Sequence, residues 1–152
     1  MDKLAVIDWG IGGLGFYREW KKHRPEDGVI YFSDSGYTPY GKLSTDSLAN
    51  RLSSVFQHLV NIHKVTHIMV ACNAASSVLE HCKIPKNTIV EGVISETVNY
   101  IEEKLTGKEA TIIAGNKIID SKTYSTLLPH HNLREVAAQP LSALVERGDT
   151  YG

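Results

Sequence analysis

Short apolar runs, each followed by a longer amphipathic stretch, set the rhythm of this chain. Leu4 to Ile7, Val29 to Phe32 and Ile68 to Ala71 are unbroken apolar runs, and Ile89 to Ile94 is interrupted only at Glu91 and Gly92. Runs of this length bounded by turn residues read as buried strands. Ala110 to Ala114 and Leu133 to Ala137 extend the series. Between them the spacing turns helical over Phe16 to Lys22, Ser44 to Ile62, Ala74 to His81, Glu96 to Leu105, Asp120 to Leu128 and Leu141 to Glu146. The second of these is the clearest: Leu48, Leu52, Val55, Phe56 and Leu59 share one face, and Ser44 or Thr45 can cap it. Pro25 and Pro129 stop the helices before them.

Strand–helix alternation predicts an α/β fold, a parallel sheet flanked by helices with right-handed crossovers. Two units are expected, 1–95 and an incomplete second α/β unit at 96–152, with the Thr106-Gly107-Lys108 loop as a candidate boundary. The sequence stops on Gly148-Asp149-Thr150-Tyr151-Gly152, just after a strand and a helix. A parallel sheet is expected to continue there, so an uncovered edge or face is expected too, and with it a homo-oligomer or association with a missing C-terminal half.

Composition narrows the picture without redirecting it. The 152 residues are 42% hydrophobic and 22% charged, with a formal net charge of −1. That is a globular composition with no basic excess for nucleic acid or an anionic membrane. No apolar run is long enough to span a bilayer, and Met1-Asp2-Lys3 does not open a signal peptide. Cys72 and Cys82 do not make a disulfide framework, which points to reduced thiols and the cytoplasm.

Candidate chemistry gathers at three loops. Cys72-Asn73 lies between a strand end and the helix expected from Ala74, where open α/β sheets bind ligands. A helix amino end there would favour the thiolate, whereas a cysteine taken alone reads as a small buried hydrophobe. Ser33-Asp34-Ser35-Gly36-Tyr37-Thr38-Pro39-Tyr40-Gly41 is a loop by its Gly, Pro and Ser content. Gly10-x-Gly12-x-x-Gly15 follows a strand and opens a helix, with Asp34 at the distance of a ribose-binding acid. That is a dinucleotide reading, and Asp8 weighs against it by setting a carboxylate where a pyrophosphate would lie. His63 and His67 fall on either side of a helix-to-strand junction, and two histidines do not make a zinc site. Trp20 and Phe56 read as core.

Together, Asp8-Trp9-Gly10-Ile11-Gly12-Gly13-Leu14, Tyr31-Phe32-Ser33-Asp34-Ser35 with Pro39-Tyr40-Gly41, Val70-Ala71-Cys72-Asn73-Ala74-Ala75, and Ile113-Ala114-Gly115-Asn116 ahead of Ser121 and Tyr124 resemble the motifs of the aspartate/glutamate racemase family. The resemblance implies a flavodoxin-like racemase domain and inversion at Cα of a small acidic amino acid without cofactor or metal. One cysteine takes the α-proton and a second returns one to the other face. It implies Cys72 as the first thiol, with Asp8 assisting it. Asn73 would donate to the substrate, and the Pro39-Tyr40-Gly41 backbone would hold its carboxylate end. Trp9, Ala74 and Asn116 fall at the remaining substrate-binding positions.

The departures matter. Trp9 stands where the family has serine, and Ala74 and Asn116 where it has threonine. A hydrogen bond to a charged group is worth about 1.5–3 kcal/mol, so losing two would weaken binding by orders of magnitude. The second cysteine of the family lies in a Gly-Cys-Thr-His motif that this sequence does not contain. Cys82 is expected about 15 Å further along one helix and cannot replace it. His130-His131 lacks the Cys-Thr context. The chain alone is therefore expected to be inactive as a racemase. The alternatives are a non-catalytic binding or interaction relative that keeps the fold, or dinucleotide binding through Gly10-x-Gly12-x-x-Gly15.

Overall fold

The computed structural model describes residues 3–149, so the expectation about how the chain ends at 150–152 lies outside the described residues. Its centre is β1 (Leu4–Asp8), buried at every position. β2 (Val29–Ser33) and β3 (His67–Val70) pair with it on either side, and β4 (Ile89–Gly92) pairs with β3. All pairings are parallel, giving the order β2-β1-β3-β4. A second parallel pair, β5 (Glu109–Ala114) and β6 (Asn132–Ala137), forms its own two-stranded sheet.

Parallel strands need covered faces. On one face Ala5, Ile7, Ile68 and Val70 pack against Leu48, Leu52, Val55, Phe56 and Leu59 of α2 (Thr45–His63) and Ala75 of α3 (Asn73–Ser76). The apolar stripe read from α2 is thus the main core, and Ser44 caps it by accepting from the Ser47 amide. On the other face Leu4, Val6 and Met69 meet Phe16 and Trp20 of α1 (Leu14–His23), with Val93 at the start of α4 (Val93–Lys104). Trp20 stacks on Phe16 and donates to Asp27, so it is a packing residue. Ile94, Ile118 and Tyr124 tie α4 to α5 (Asn116–Asp120) and α6 (Thr123–Leu127), and α7 (Gln139–Arg147) follows β6.

Two helices are shorter than their spacing predicts. The one after Cys72 ends at Ser76 rather than His81. The Ser76 hydroxyl donates to Val70 O and accepts from the Val93 amide, while the Ser77 hydroxyl donates to Ala74 O. Such side-chain bonds compete with the helix ladder, and only a 3-10 turn at Leu79–His81 follows. The expected Asp120–Leu128 helix is only α6, and Lys122 at φ 51° parts it from α5, which begins at Asn116, ahead of the expected start. Among the described residues no helix is long and apolar enough to cross a membrane.

Candidate active site

The chain leaves β1 for β2 on one side and returns to β3 on the other, so a crevice opens at the carboxyl ends of β1 and β3. Ile7 pairs with Val70, and the Ala71 amide donates to Ile7 O at 2.8 Å. Asp8 and Cys72 therefore emerge as neighbours. They line a cavity of about 710 Å³ together with Trp9, Gly10, Gly12, Pro39, Tyr40, Gly41, Asn73 and Ala74. Gly115 and Lys117 flank Asn116 on the wall, while Asn116 itself is not among the lining residues. Lys42, Gln139 and Glu146 close the rim.

Each wall is held by local chemistry. Asp8 is 7% exposed, and its Oδ2 accepts the Gly13 amide at 3.0 Å. A side chain at Gly13 would lie 2.9 Å from the Ala71 Cβ, so the turn can press against β3 only as glycine. Tyr31 Oη donates to Gly10 O and pins the turn from β2. Trp9 Nε1 donates to Tyr37 O at 2.9 Å, so the bulky ring is seated against the loop after β2. Tyr40 is in the core; its hydroxyl donates to Asp34 Oδ2 at 2.7 Å, and burial is the first cause raising its pKa. Asp34 is buried and takes Arg51 Nε and Nη2 at 2.9 and 2.5 Å, and the Arg51 guanidinium lies over the Tyr37 ring. With the Tyr40 side chain turned inward, its backbone is what Pro39-Tyr40-Gly41 offers the cavity.

The glycine turn is already loaded with anions. Glu146 of α7 accepts the Ile11 amide through both oxygens, at 2.9 and 3.2 Å. A Cβ at Gly10 would sit about 2 Å from that carboxylate. With Asp8 on Gly13, Glu146 on Ile11 and Asp34 bound by Arg51, the dinucleotide reading is not favoured. The Ile11 and Gly13 amides of the turn and the ribose-acid candidate Asp34 are engaged within the chain.

The structure corrects one expectation about Cys72. α3 has only four residues, and the thiol is pushed up to about 12 rather than toward the thiolate. Burial is the first cause and the Asp8 carboxylate the second; the Ala75 and Trp9 backbone N–H groups oppose them. Cys82 instead caps the 3-10 turn, donating to Val78 O and packing on the main core. His63 faces His58, with ring centroids 5.7 Å apart, and His67 Nδ1 meets Thr66 Oγ1.

Sequence spacing missed Glu146, Arg51, Lys42 and Lys117. Arg51 had a legible trace: it borders the apolar stripe of α2 between Leu48 and Val55, where a charge needs a buried partner. Glu146 reaches Ile11 across 135 residues and leaves no local trace.

No family model matches the chain. It is 31% identical over 152 residues to a glutamate racemase of Neisseria meningitidis, covering 95% of this chain and 56% of that protein. The crystal structure of glutamate racemase from Campylobacter jejuni superposes with a TM-score of 0.87 at 28% identity, covering 99% of this chain and 62% of the other. Glutamate racemase from Francisella tularensis, solved in complex with D-glutamate, shares the fold with a TM-score of 0.84 at 24% identity, over 99% of this chain and 58% of that one. The chain spans a little over half the length of these proteins.

Proposed function

We propose that this chain, a racemase-like homologue of the glutamate racemases, carries one side of a cofactor-independent acid–base site that acts at Cα of a small acidic amino acid. The supporting observation is the cavity that sets Cys72 against Asp8 at the switch point of the sheet, with Asn73 and Pro39-Tyr40-Gly41 on its walls. The Francisella relative was solved with D-glutamate, which fits a cavity of this size with cationic Lys42 and Lys117 on its rim.

Inversion at Cα breaks the Cα–H bond on one face and makes a new one on the other. As the ligand's ammonium group enters beside Asp8, the Cys72 thiol passes its own proton to the Asp8 carboxylate; the thiolate so formed takes the α-proton and becomes the thiol again, while Asn73 and the 39–41 backbone hold a carboxylate so that the carbanion forms against fixed donors. Proton delivery to the opposite face needs a second donor. Cys82 does not line the cavity, so that donor comes from a further segment or a partner. The free Cys72 and Cys82 thiols fit a reducing compartment, and we place the protein in the cytoplasm.

A one-sided site makes its own prediction. Incubated in D₂O with L- and D-glutamate or aspartate, the chain exchanges the α-hydrogen of one enantiomer with retention, read by proton NMR. Cys72→Ser lowers that exchange by about 10²-fold or more, the usual contribution of a positioned acid–base group. Exchange no faster than in buffer for all four amino acids would overturn the proposal.

A further inference from the structure

Asn73 is exposed at the start of α3 and lines the cavity, yet its side chain is gripped from the second sheet's side of the molecule. Tyr124 Oη donates to Asn73 Oδ1 at 2.8 Å, across 51 residues of sequence. Tyr124 is 3% exposed and packs with Ile94 and Ile118, so its ring cannot follow a wandering partner. Lys122 at φ 51° turns the chain just before α6 and delivers the tyrosine to this spot.

A primary amide carries one acceptor oxygen and a two-proton donor nitrogen, almost equal in shape. Without a partner it can turn either end toward the cavity, and only the nitrogen end suits a carboxylate. A protonated phenol bonded to Oδ1 removes the ambiguity. Burial raises the phenol's pKa, with the Thr97 hydroxyl opposing, so the proton stays on the ring oxygen at neutral pH.

We propose that Tyr124 is a positioning residue: by holding Asn73 Oδ1, it fixes the Asn73 amide with its NH₂ toward the cavity, where it takes an anionic oxygen of the ligand. The ligand half of this inference rests on the acidic amino-acid reading above; the orientation half does not. It assigns the α5–α6 unit a part in the site, because the grip on the first residue of α3, just past β3, comes from there.

Tyr124→Phe keeps the ring and deletes the donor. The side-chain ¹⁵N–¹H₂ pair of Asn73, identified by its loss in Asn73→Ala, is expected to be sharp and well separated in the native protein. It should shift and broaden in Tyr124→Phe while the backbone amide spectrum stays folded. In calorimetry with glutamate, Tyr124→Phe weakens binding about ten-fold, and Tyr124→Phe/Asn73→Ala binds no more weakly than Asn73→Ala alone. Asn73→Asp keeps the acceptor for Tyr124 but loses the NH₂, and should bind glutamate no better than Asn73→Ala while leaving the melting temperature unchanged. Unaltered Asn73 side-chain resonances in Tyr124→Phe, or additive losses in the double variant, would overturn the proposal. If the native protein takes up no glutamate, the racemase reading fails, and the amide resonances still decide the role of Tyr124.

Discussion

Asp8 and Cys72 touch without forming an activated pair. A half-buried thiol beside a buried carboxylate holds its proton, because the thiolate would be both desolvated and repelled. Such a site waits for a cation, and an α-amino acid brings one in its ammonium group. The sign of the pH dependence follows. The folded pKa lies above the unfolded one, near 9, so the thiol favours folding fully below about pH 9, and that contribution is lost as pH rises toward 12. Alkylation of Cys72 by iodoacetamide, followed by intact mass with Cys82→Ser as background, should be slow at pH 8 and accelerate between pH 9 and 12. Asp8→Asn removes the opposing anion and should speed the reaction at every pH in that range. Fast labelling at pH 7 in the native protein would show an already ionised sulfur. Asp34 presents the contrasting case: its charge is fully met by Arg51 and Tyr40, and the ion pair anchors the loop that walls the cavity.

Elements were legible where one period dominated several turns. α2 keeps its apolar residues on one face through Leu59 and carries a serine cap, so its stripe and its start could be read directly. β1 to β3 were equally plain, because short unbroken apolar runs admit little else. The same rule failed after Cys72: Ser76 and Ser77 have acceptable helical propensity, but their hydroxyls bond Val70 O and Ala74 O, a contest settled by tertiary neighbours. It failed again at Lys122, a good helix former in a left-handed turn. In the site, the pairing of Asp8 with Cys72 was implied by the family resemblance of their motifs, whereas the Glu146 and Tyr124 contacts span 135 and 51 residues and depend on how the second sheet docks. α2 itself ends on such a turn. Lys64 has φ 57°, and its amide closes on Leu59 O and Val60 O. A left-handed lysine costs about 1–2 kcal/mol relative to glycine, offset in part by glycine's greater unfolded-state entropy. Lys64→Gly should therefore raise stability by about 0.5–1 kcal/mol in urea denaturation, with no change in m. A loss of stability would mean that the Lys64 Nζ bond to Asn61 O outweighs the backbone strain.

At the scale of the molecule, the two faces of the main sheet are unequally served. α2 and α3 cover one, while α1 covers only part of the other, and a groove of about 660 Å³ lies open there, lined by Leu4, Phe16, Trp20, Ile68 and Met69. Beside it runs β4, paired on one side only among the described residues, with Ile89 half exposed. An unpaired parallel edge next to an apolar groove is a place where a further strand and helix would bury surface and satisfy backbone groups at once. The chain spans a little over half the length of its relatives, so the polypeptide to supply them exists in those proteins. A second copy of the chain is a partner that could occupy the same edge. Sedimentation at rising protein concentration should then show mass above that of the monomer. Ile89→Lys places a solvated charge on the edge without disturbing the core, and should return the protein to a folded monomer whose melting temperature no longer depends on protein concentration. Association that persists in Ile89→Lys would move the contact away from β4, and a native chain that stays monomeric at every concentration would show that α1 and the groove residues shield this face by themselves.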